Sequence, residues 1–268
     1  MRKCHQHQSD AHVDLADRYW KTAMPVTGKT LVMIATYNEI ENLPRLVSEI
    51  EAHLPAADVL IIDDNSPDGT GQWCDQQAAI DPRLKCLHRT GKLGLGSAIV
   101  EGMKFGIGQG YEFVITMDAD FSHPPASLPA LLAGMQQNGS AVDVMIGSRY
   151  IPGGGIEGWS LKRHIMSRCI NLYTRWMLWI GARDCSGGFR CYRTSKLAEI
   201  DLNSLYSKGY SFQEEMLWRA KKSGCRIAET PIIFVNRREG DSKINMGEAR
   251  QAVWILSRLC LDNLVGRR

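Results

Sequence analysis

The chain has 268 residues, of which 44% are hydrophobic and 23% charged, and its net charge is +3. That is ordinary globular composition, and the length suffices to bury a core without disulfide or metal staples. Disordered, collagen-like and disulfide-scaffold classes are therefore excluded for its bulk.

The first twenty residues, MRKCHQHQSDAHVDLADRYW, contain no apolar signal segment, and residues 1–28 are expected to form a flexible tail. TLVMIA at 30–35 reads as a buried strand, and a helix is expected from Glu41 to His53. VLIIDD at 59–64 reads as a second strand, and NSPDG at 65–69 is strong turn chemistry. A helix over 71–79, a strand over 83–88 and a helix over 94–108 follow. FVITMD at 113–118 is an apolar strand suited to a parallel sheet covered on both faces. A helix over 128–137 and a strand over 142–150 complete the alternation. Strand and helix in turn predict an α/β sheet with right-handed crossovers.

After Ile151 the texture changes. PGGGIEGWS at 152–160 reads as a flexible lid. Residues 163–180 are amphipathic, with Ile165, Met166, Cys169, Ile170, Tyr173, Trp176, Met177 and Ile180 apolar. A second amphipathic stretch runs from Glu248 to Val265, so one domain over 29–245 is expected to carry a C-terminal helix over 246–268. No apolar run approaches the roughly 20 residues of a membrane span. The eight cysteines form no CxxC pair, which disfavours a zinc ribbon and suits a reducing compartment.

Charge is unevenly spread. Residues 1–148 carry 11 basic and 18 acidic side chains, 149–193 carry 8 and 2, and 194–268 carry 13 and 9. The basic part is suited to phosphates, an anionic membrane surface or nucleic acid, the last disfavoured because no zinc-finger, RNP-type or basic-zipper pattern occurs.

Three strands end in polar residues aimed at one rim: Thr36 to Glu39, Asp63-Asp64, and Asp118-Ala119-Asp120. Ligands of open α/β sheets bind beyond the carboxyl ends of the strands. Two carboxylates one residue apart can share a hard cation such as Mg²⁺ or Mn²⁺ with substrate phosphates. A lone DxD also suits an acidic surface turn, and Asp63-Asp64 also suits a helix start capped by Ser66 and Asp68. Their convergence is harder to explain as turn chemistry. GKLGLG at 91–96 matches neither the dinucleotide fingerprint nor the P-loop and reads as a tight structural loop.

ATYNE at 35–39, IDDNSPDGT at 62–70 and MDADFSHP at 117–124 resemble the family-2 glycosyltransferases. GSRY at 147–150, GWSLKR at 158–163, DCSGGFR at 184–190, GYSFQEE at 209–215 and NRREGDSK at 236–243 extend the resemblance, which covers about residues 30–260. Within the family they are most similar to the polyprenyl-phosphate sugar transferases of the dolichyl-phosphate mannose synthase type. The resemblance implies a GT-A fold and inverting transfer of mannose from GDP-mannose to a polyprenyl phosphate, with Mg²⁺ or Mn²⁺. The alternative is a polyprenyl-phosphate glucosyl or aminosugar transferase using a UDP-sugar. A nucleotide-binding partner subunit without turnover is a reading from another class, disfavoured by the intact DxD. A nucleotidyltransferase is disfavoured by the lack of a glycine-rich phosphate loop after the first strand.

By position, the resemblance implies that Ala35, Tyr37, Glu39, Ile62 and Asp64 hold the nucleoside, Ala35 replacing the usual proline. It places Asp118, Ala119 and Asp120 at the diphosphate and metal, with Ser122 where some relatives have a glutamine ligand. Arg149, Arg163, Arg237 and Lys243 match phosphate-contacting positions, and Ser167 shares a helix face with Arg163. Glu214 and Glu215 are expected to be structural or to orient the acceptor. A phosphate acceptor is already anionic near pH 7, so no general base is required. The enzyme is expected in the cytoplasm, peripherally bound to a membrane surface, with room for a membrane-anchoring partner subunit and no nucleic-acid partner.

Overall fold

The computed structural model describes residues 28–137, 140–207, 209, 211–236 and 246–264. The expected tail apart from Gly28, together with Arg237 and Lys243, lies outside them. The first half builds β1 (Thr30–Thr36), α1 (Leu43–His53), β2 (Asp58–Asp63), α2 (Thr70–Ala78), β3 (Leu84–His88), α3 (Leu95–Gly108) and β4 (Phe113–Asp118). A short α4 (Leu128–Ala133), β5 (Gln136–Gln137), β6 (Ser140–Ala141), β7 (Val144–Ser148) and β8 (Gly155–Glu157) follow. The rest comprises α5 (Leu161–Leu178), β9 (Arg190–Arg193), α6 (Thr194–Leu197), α7 (Phe212–Lys222), β10 (Ile227–Pro231), β11 (Ile233–Val235) and α8 (Met246–Leu264).

Seven strands form one sheet in the order β10-β7-β9-β4-β1-β2-β3. Every pairing in it is parallel except those of β9 with β4 and β7. The apolar runs of β1 and β2 follow from burial on both faces. Leu31, Met33, Leu60 and Ile62 share one core with Ala98, Ile99 and Met103 of α3. Val32, Ile34, Val59 and Ile61 share the other with Leu43, Leu46, Val47 and Ile50 of α1. Helix α3 lies so close to the sheet that a Cβ on Gly102 would fall 2.6 Å from Ile62 Cδ1.

The helix expected from Glu41 begins at Leu43, with Pro44 in its first turn where no amide hydrogen is needed. The helix expected over 128–137 stops at Ala133, and Gln136–Gln137 pairs with Ser140–Ala141 instead. The glycine-rich segment read as a lid is partly a strand, because β8 pairs in parallel with β11. Gly154, just before β8, packs on the end of β7, where a Cβ would fall 2.5 Å from the Ser148 carbonyl oxygen.

The amphipathic helix is shifted, and its apolar residues are divided between a core-facing side with Tyr173, Met177 and Leu178 and an exposed side. Ser160 caps α5, its Oγ accepting from Arg163 N at 3.4 Å, and Trp179 closes it at φ 51°. Its buried residues are Asn171, Thr174 and Leu178. Leu161, Ile165, Met166, Leu172 and Trp176 are exposed, Trp176 by 71%. Helix α8 packs beside α5 and exposes Val253, Trp254 and Leu261. No helix among the described residues is long and apolar enough to cross a membrane.

Candidate active site

The parallel register puts Asp118 of β4, Ala35 of β1 and Ile62 of β2 in one row across three adjacent strands. All three line one pocket, with Leu95, Gly188 and Gln213 on its walls. Ile62 is itself buried, so it serves as floor. The expected convergence of strand ends is present.

Each strand end is braced by its own turn. Asp63, buried, accepts from Thr36 Oγ1 at 3.1 Å, Ser66 N at 3.0 Å and Ser66 Oγ at 2.5 Å. Asp68 accepts from Thr70 N at 3.0 Å and from Ile40 N at 3.1 Å, which ties the β2 turn to the β1 turn. Asp63 is thus a turn residue, whereas Asp64 is bonded outside its own turn. Arg89 Nη1 donates to Asp64 Oδ1 at 2.5 Å, while Arg89 Nη2 donates to Ser97 Oγ at the start of α3. Burial pushes the Asp64 carboxyl above its ordinary range, against the pull of Arg89. Tyr37 is exposed with Lys92 Nζ 4.3 Å from its ring centroid, and Glu39 Oε2 accepts from Asn42 Nδ2 at 3.0 Å. GKLGLG serves as the loop into α3, Gly94 standing at φ 99° before Leu95.

The acidic turn after β4 is held from beneath. Asp118 N donates to His123 Nδ1 at 3.0 Å. Burial is the largest influence on His123 and keeps the imidazole below its ordinary range, so the neutral ring accepts at Nδ1 and carries its proton on Nε2. Ser122 N donates to Asp120 Oδ1 at 3.0 Å, and the Phe121 between them adopts φ 60°. Ala119 is buried beneath the two carboxylates. Ser122 Oγ is buried with no hydrogen-bond partner among the described residues. Two carboxylates and a buried orphan hydroxyl form an all-oxygen donor set, which fits a hard divalent cation.

Arg149 is placed differently from expectation. It is buried, and its fork faces Asp184: Nε to Oδ2 and Nη2 to Oδ1 are both 2.7 Å. Nη2 also reaches Ser186 Oγ at 2.9 Å. The bidentate face expected for a phosphate is therefore occupied by a carboxylate, because DCSGGFR folds back beneath β7. Asp184 is pushed up by burial and held lower on balance by the Arg149 charge and hydrogen bonds.

Arg163, Ser167 and Asn171 succeed one another at four-residue spacing along α5, on one face. Arg163 Nη1 donates to Asn236 Oδ1 at 2.8 Å, and its guanidinium lies 4.0 Å from the Trp159 ring centroid. Ser167 Oγ accepts from Tyr150 Oη at 2.7 Å. Asn171 Oδ1 accepts from Cys185 N at 2.6 Å, and its Nδ2 donates to Ser186 Oγ at 3.0 Å. An aromatic ladder links this face to the acidic turn. Trp159 meets Phe234 at 5.4 Å, and Phe234 meets His123 at 5.6 Å.

The sequence alone did not single out His123, Asp184, Arg89 or Gln213, although His123, Asp184 and Gln213 stand inside MDADFSHP, DCSGGFR and GYSFQEE. Glu215 accepts from Tyr206 N at 3.0 Å and Ser207 N at 2.8 Å. Burial pushes Glu214 up to about 7, and its Oε2 has no hydrogen-bond partner among the described residues.

The sequence pattern of glycosyl transferase family 2 matches residues 31–201. An undecaprenyl-phosphate mannosyltransferase of Micrococcus luteus is 44% identical over 86% of this chain and 93% of its own. A polyprenol monophosphomannose synthase of Mycolicibacterium smegmatis is 42% identical over 85% of both chains. Among solved structures, glucosyl-3-phosphoglycerate synthase of Mycobacterium tuberculosis, in complex with Mn²⁺, UDP and glucosyl-3-phosphoglycerate, aligns with a TM-score of 0.63 at 16% identity. The alignment spans 92% of this chain and 82% of that one. A mannosyltransferase of Pyrobaculum calidifontis, in complex with GDP-Man and Mn²⁺, aligns with a TM-score of 0.56 at 14% identity, over 98% of this chain and 75% of that one. These two likenesses concern the fold.

Proposed function

The chain is a member of glycosyl transferase family 2, and from that footing we propose that it transfers mannose from GDP-mannose to a polyprenyl phosphate with inversion, giving polyprenyl-phosphate mannose. The observation that carries this reading is the likeness, along nearly their whole length, to two relatives named for polyprenyl-phosphate mannosyl transfer.

Ala35, Tyr37, Glu39, Ile62 and Asp64 surround the nucleoside in this reading. Asp118 and Asp120, with Ala119 between them and Ser122 behind, would hold Mg²⁺ or Mn²⁺ beside the diphosphate. When bound, such a cation neutralises charge on a departing diphosphate. Arg163 and Ser167 hold the acceptor phosphate, whose oxygen attacks the anomeric carbon from the face opposite the leaving group. That oxygen needs no general base, since a phosphate monoester has its second pKa near about 6. Arg149 acts through Asp184 and Ser186, fixing the loop against which α5 rests. The expected contacts of Arg237 and Lys243 lie outside the described residues.

The exposed apolar side of helix α5 supports a membrane-associated role. A helix with apolar residues outward and basic residues beside them lies in a lipid interface. Leu161, Ile165, Met166, Leu172 and Trp176 supply that face, with Lys162 and Arg168 also exposed. A lipid acceptor would then meet Arg163 and Ser167 at the same helix.

Radiolabelled sugar transfer tests the reading. With polyprenyl phosphate and Mg²⁺ or Mn²⁺, GDP-mannose should yield an organic-soluble labelled product and UDP-glucose should not. Transfer from UDP-glucose alone would replace mannose by the glucosyl alternative.

A further inference from the structure

At the outer edge of the strand-end rim, α2 and the edge strand β3 bring together three metal-ligating side chains that the proposed glycosyl transfer does not use. Cys86 and His88, two residues apart on β3, point to the same side of the strand. Asp75 reaches them from α2, with His88 Nε2 2.8 Å from Asp75 Oδ1. One ligand atom of each residue lies within 4.8 Å of the others. Asp75 and His88 are exposed and Cys86 is half-buried, so the group opens to solvent on one side.

We propose that Asp75, Cys86 and His88 form a second metal site, selective for a borderline divalent cation of the Zn²⁺ class. The donor set decides the class. A thiolate and an imidazole suit Zn²⁺, whereas the all-oxygen rim suits Mg²⁺ or Mn²⁺. Tetrahedral bonds of about 2.0–2.3 Å place donors roughly 3.3–3.8 Å apart. The 2.8 Å pair must open slightly and the wider pairs close, which rotations of the exposed Asp75 and His88 side chains allow. Three protein ligands leave the fourth position to water, as in open zinc sites.

Cys74, buried in α2 one residue before Asp75, closes the inner side of the group. An occupied site would clamp α2 to β3 one residue before Arg89, the partner of Asp64. It would thereby stiffen the edge of the sheet beside the proposed donor pocket.

Titration of the reduced full-length chain with Co²⁺ alone tests this. One equivalent should raise a near-ultraviolet thiolate-to-cobalt band that Zn²⁺ bleaches and millimolar Mg²⁺ leaves in place. Cys86→Ser should abolish the band. His88→Gln, an exposed change, should weaken Co²⁺ binding at least tenfold while circular dichroism stays unchanged. Cys4, His5 and His7 are another thiolate and imidazole source in the sequence. The band should therefore persist when all three are replaced by Ser, Gln and Gln. Absence of a band, its survival in Cys86→Ser, its loss on replacing those three residues, or unchanged affinity in His88→Gln would each overturn the site. Asp75 and His88 would then be a surface ion pair. These outcomes are independent of sugar transfer.

Discussion

Arg149 and Asp184, 35 positions apart in the chain, form a buried bidentate pair at 2.7 Å, and Asp184 also accepts from Arg149 N and Gly187 N. One carboxylate thereby closes the β7 end, the DCSGG loop and, through Ser186, helix α5 into a single polar knot.

Asp184→Asn should lower stability by about 3–5 kcal/mol near neutral pH, since it leaves the guanidinium buried without its counter-charge. The folded carboxyl lies below its ordinary 3.8, so its contribution is complete above that value and fades as pH falls through the folded one. Urea melts should show a gap between wild type and variant that is constant from pH 5 to 7 and narrows below pH 4. A gap that widens in acid would contradict the assignment.

Asp120→Ala should reduce transfer by about a thousandfold or more, the scale of several kcal/mol of lost charge stabilisation. The fold should survive, because the turn bond lost at Ser122 N is worth about 1 kcal/mol. Chelating the divalent cation should inactivate the wild type and add little to the variant. Turnover with calorimetry of GDP-mannose binding checks both statements.

Arg163→Ala should lower kcat/KM for the lipid acceptor by about ten- to a hundredfold, on the strength of one charge-assisted contact. GDP-mannose affinity should move far less, since the row proposed to hold it is built on β4, β1 and β2. Arg163→Lys should recover only part of the loss, because lysine lacks the planar fork. Should Arg163→Ala weaken the nucleotide sugar and spare the lipid, α5 belongs to the donor side.

Trp176→Glu paired with Ile165→Glu should cut binding to anionic vesicles at least tenfold, as each apolar side chain withdrawn from lipid is worth about 1.5–3 kcal/mol. The melting temperature in solution should scarcely change, because both side chains already face water. Flotation with and without polyprenyl phosphate measures the first effect and calorimetry the second. Equal flotation of variant and wild type would remove α5 from the membrane interface.

The rim was legible because parallel strands announce themselves as apolar runs and their polar ends fall in register. The DxD at Asp118 and Asp120 needed only that rule, whereas Ala35 and Ile62, apolar residues in the same row, came from the family resemblance. Arg149 was not legible: an arginine in a basic stretch gives no sign of a buried partner 35 residues on. Strand β9 hid for a similar reason, its Arg190 being wholly buried against the carbonyls of Cys185 and Gln213. Periodicity gave α5 two faces without saying which turns inward. Asn171 decides that by bonding the Cys185 and Ser186 amides, an interaction no local pattern encodes. The Asp75, Cys86 and His88 group arises from packing of α2 on β3, which cysteine spacing alone does not reveal.

Strand β11 has a neighbour on each side. It pairs with β8, next to the helix that carries Arg163, and its Val235 N donates to Ser122 O beside the acidic turn at 3.2 Å. Asn236 N then donates to Glu157 O at 3.0 Å, and Asn236 Oδ1 meets Arg163. A few residues of backbone thus join the acidic turn to Arg163 by direct bonds. If the two hold donor and acceptor as proposed, a shift of the turn as one substrate settles reaches the arginine that meets the other. Donor and acceptor should therefore bind non-independently, each changing the other's affinity by the same factor, and initial-rate plots should reveal that interaction as cooperativity between two unlike substrates.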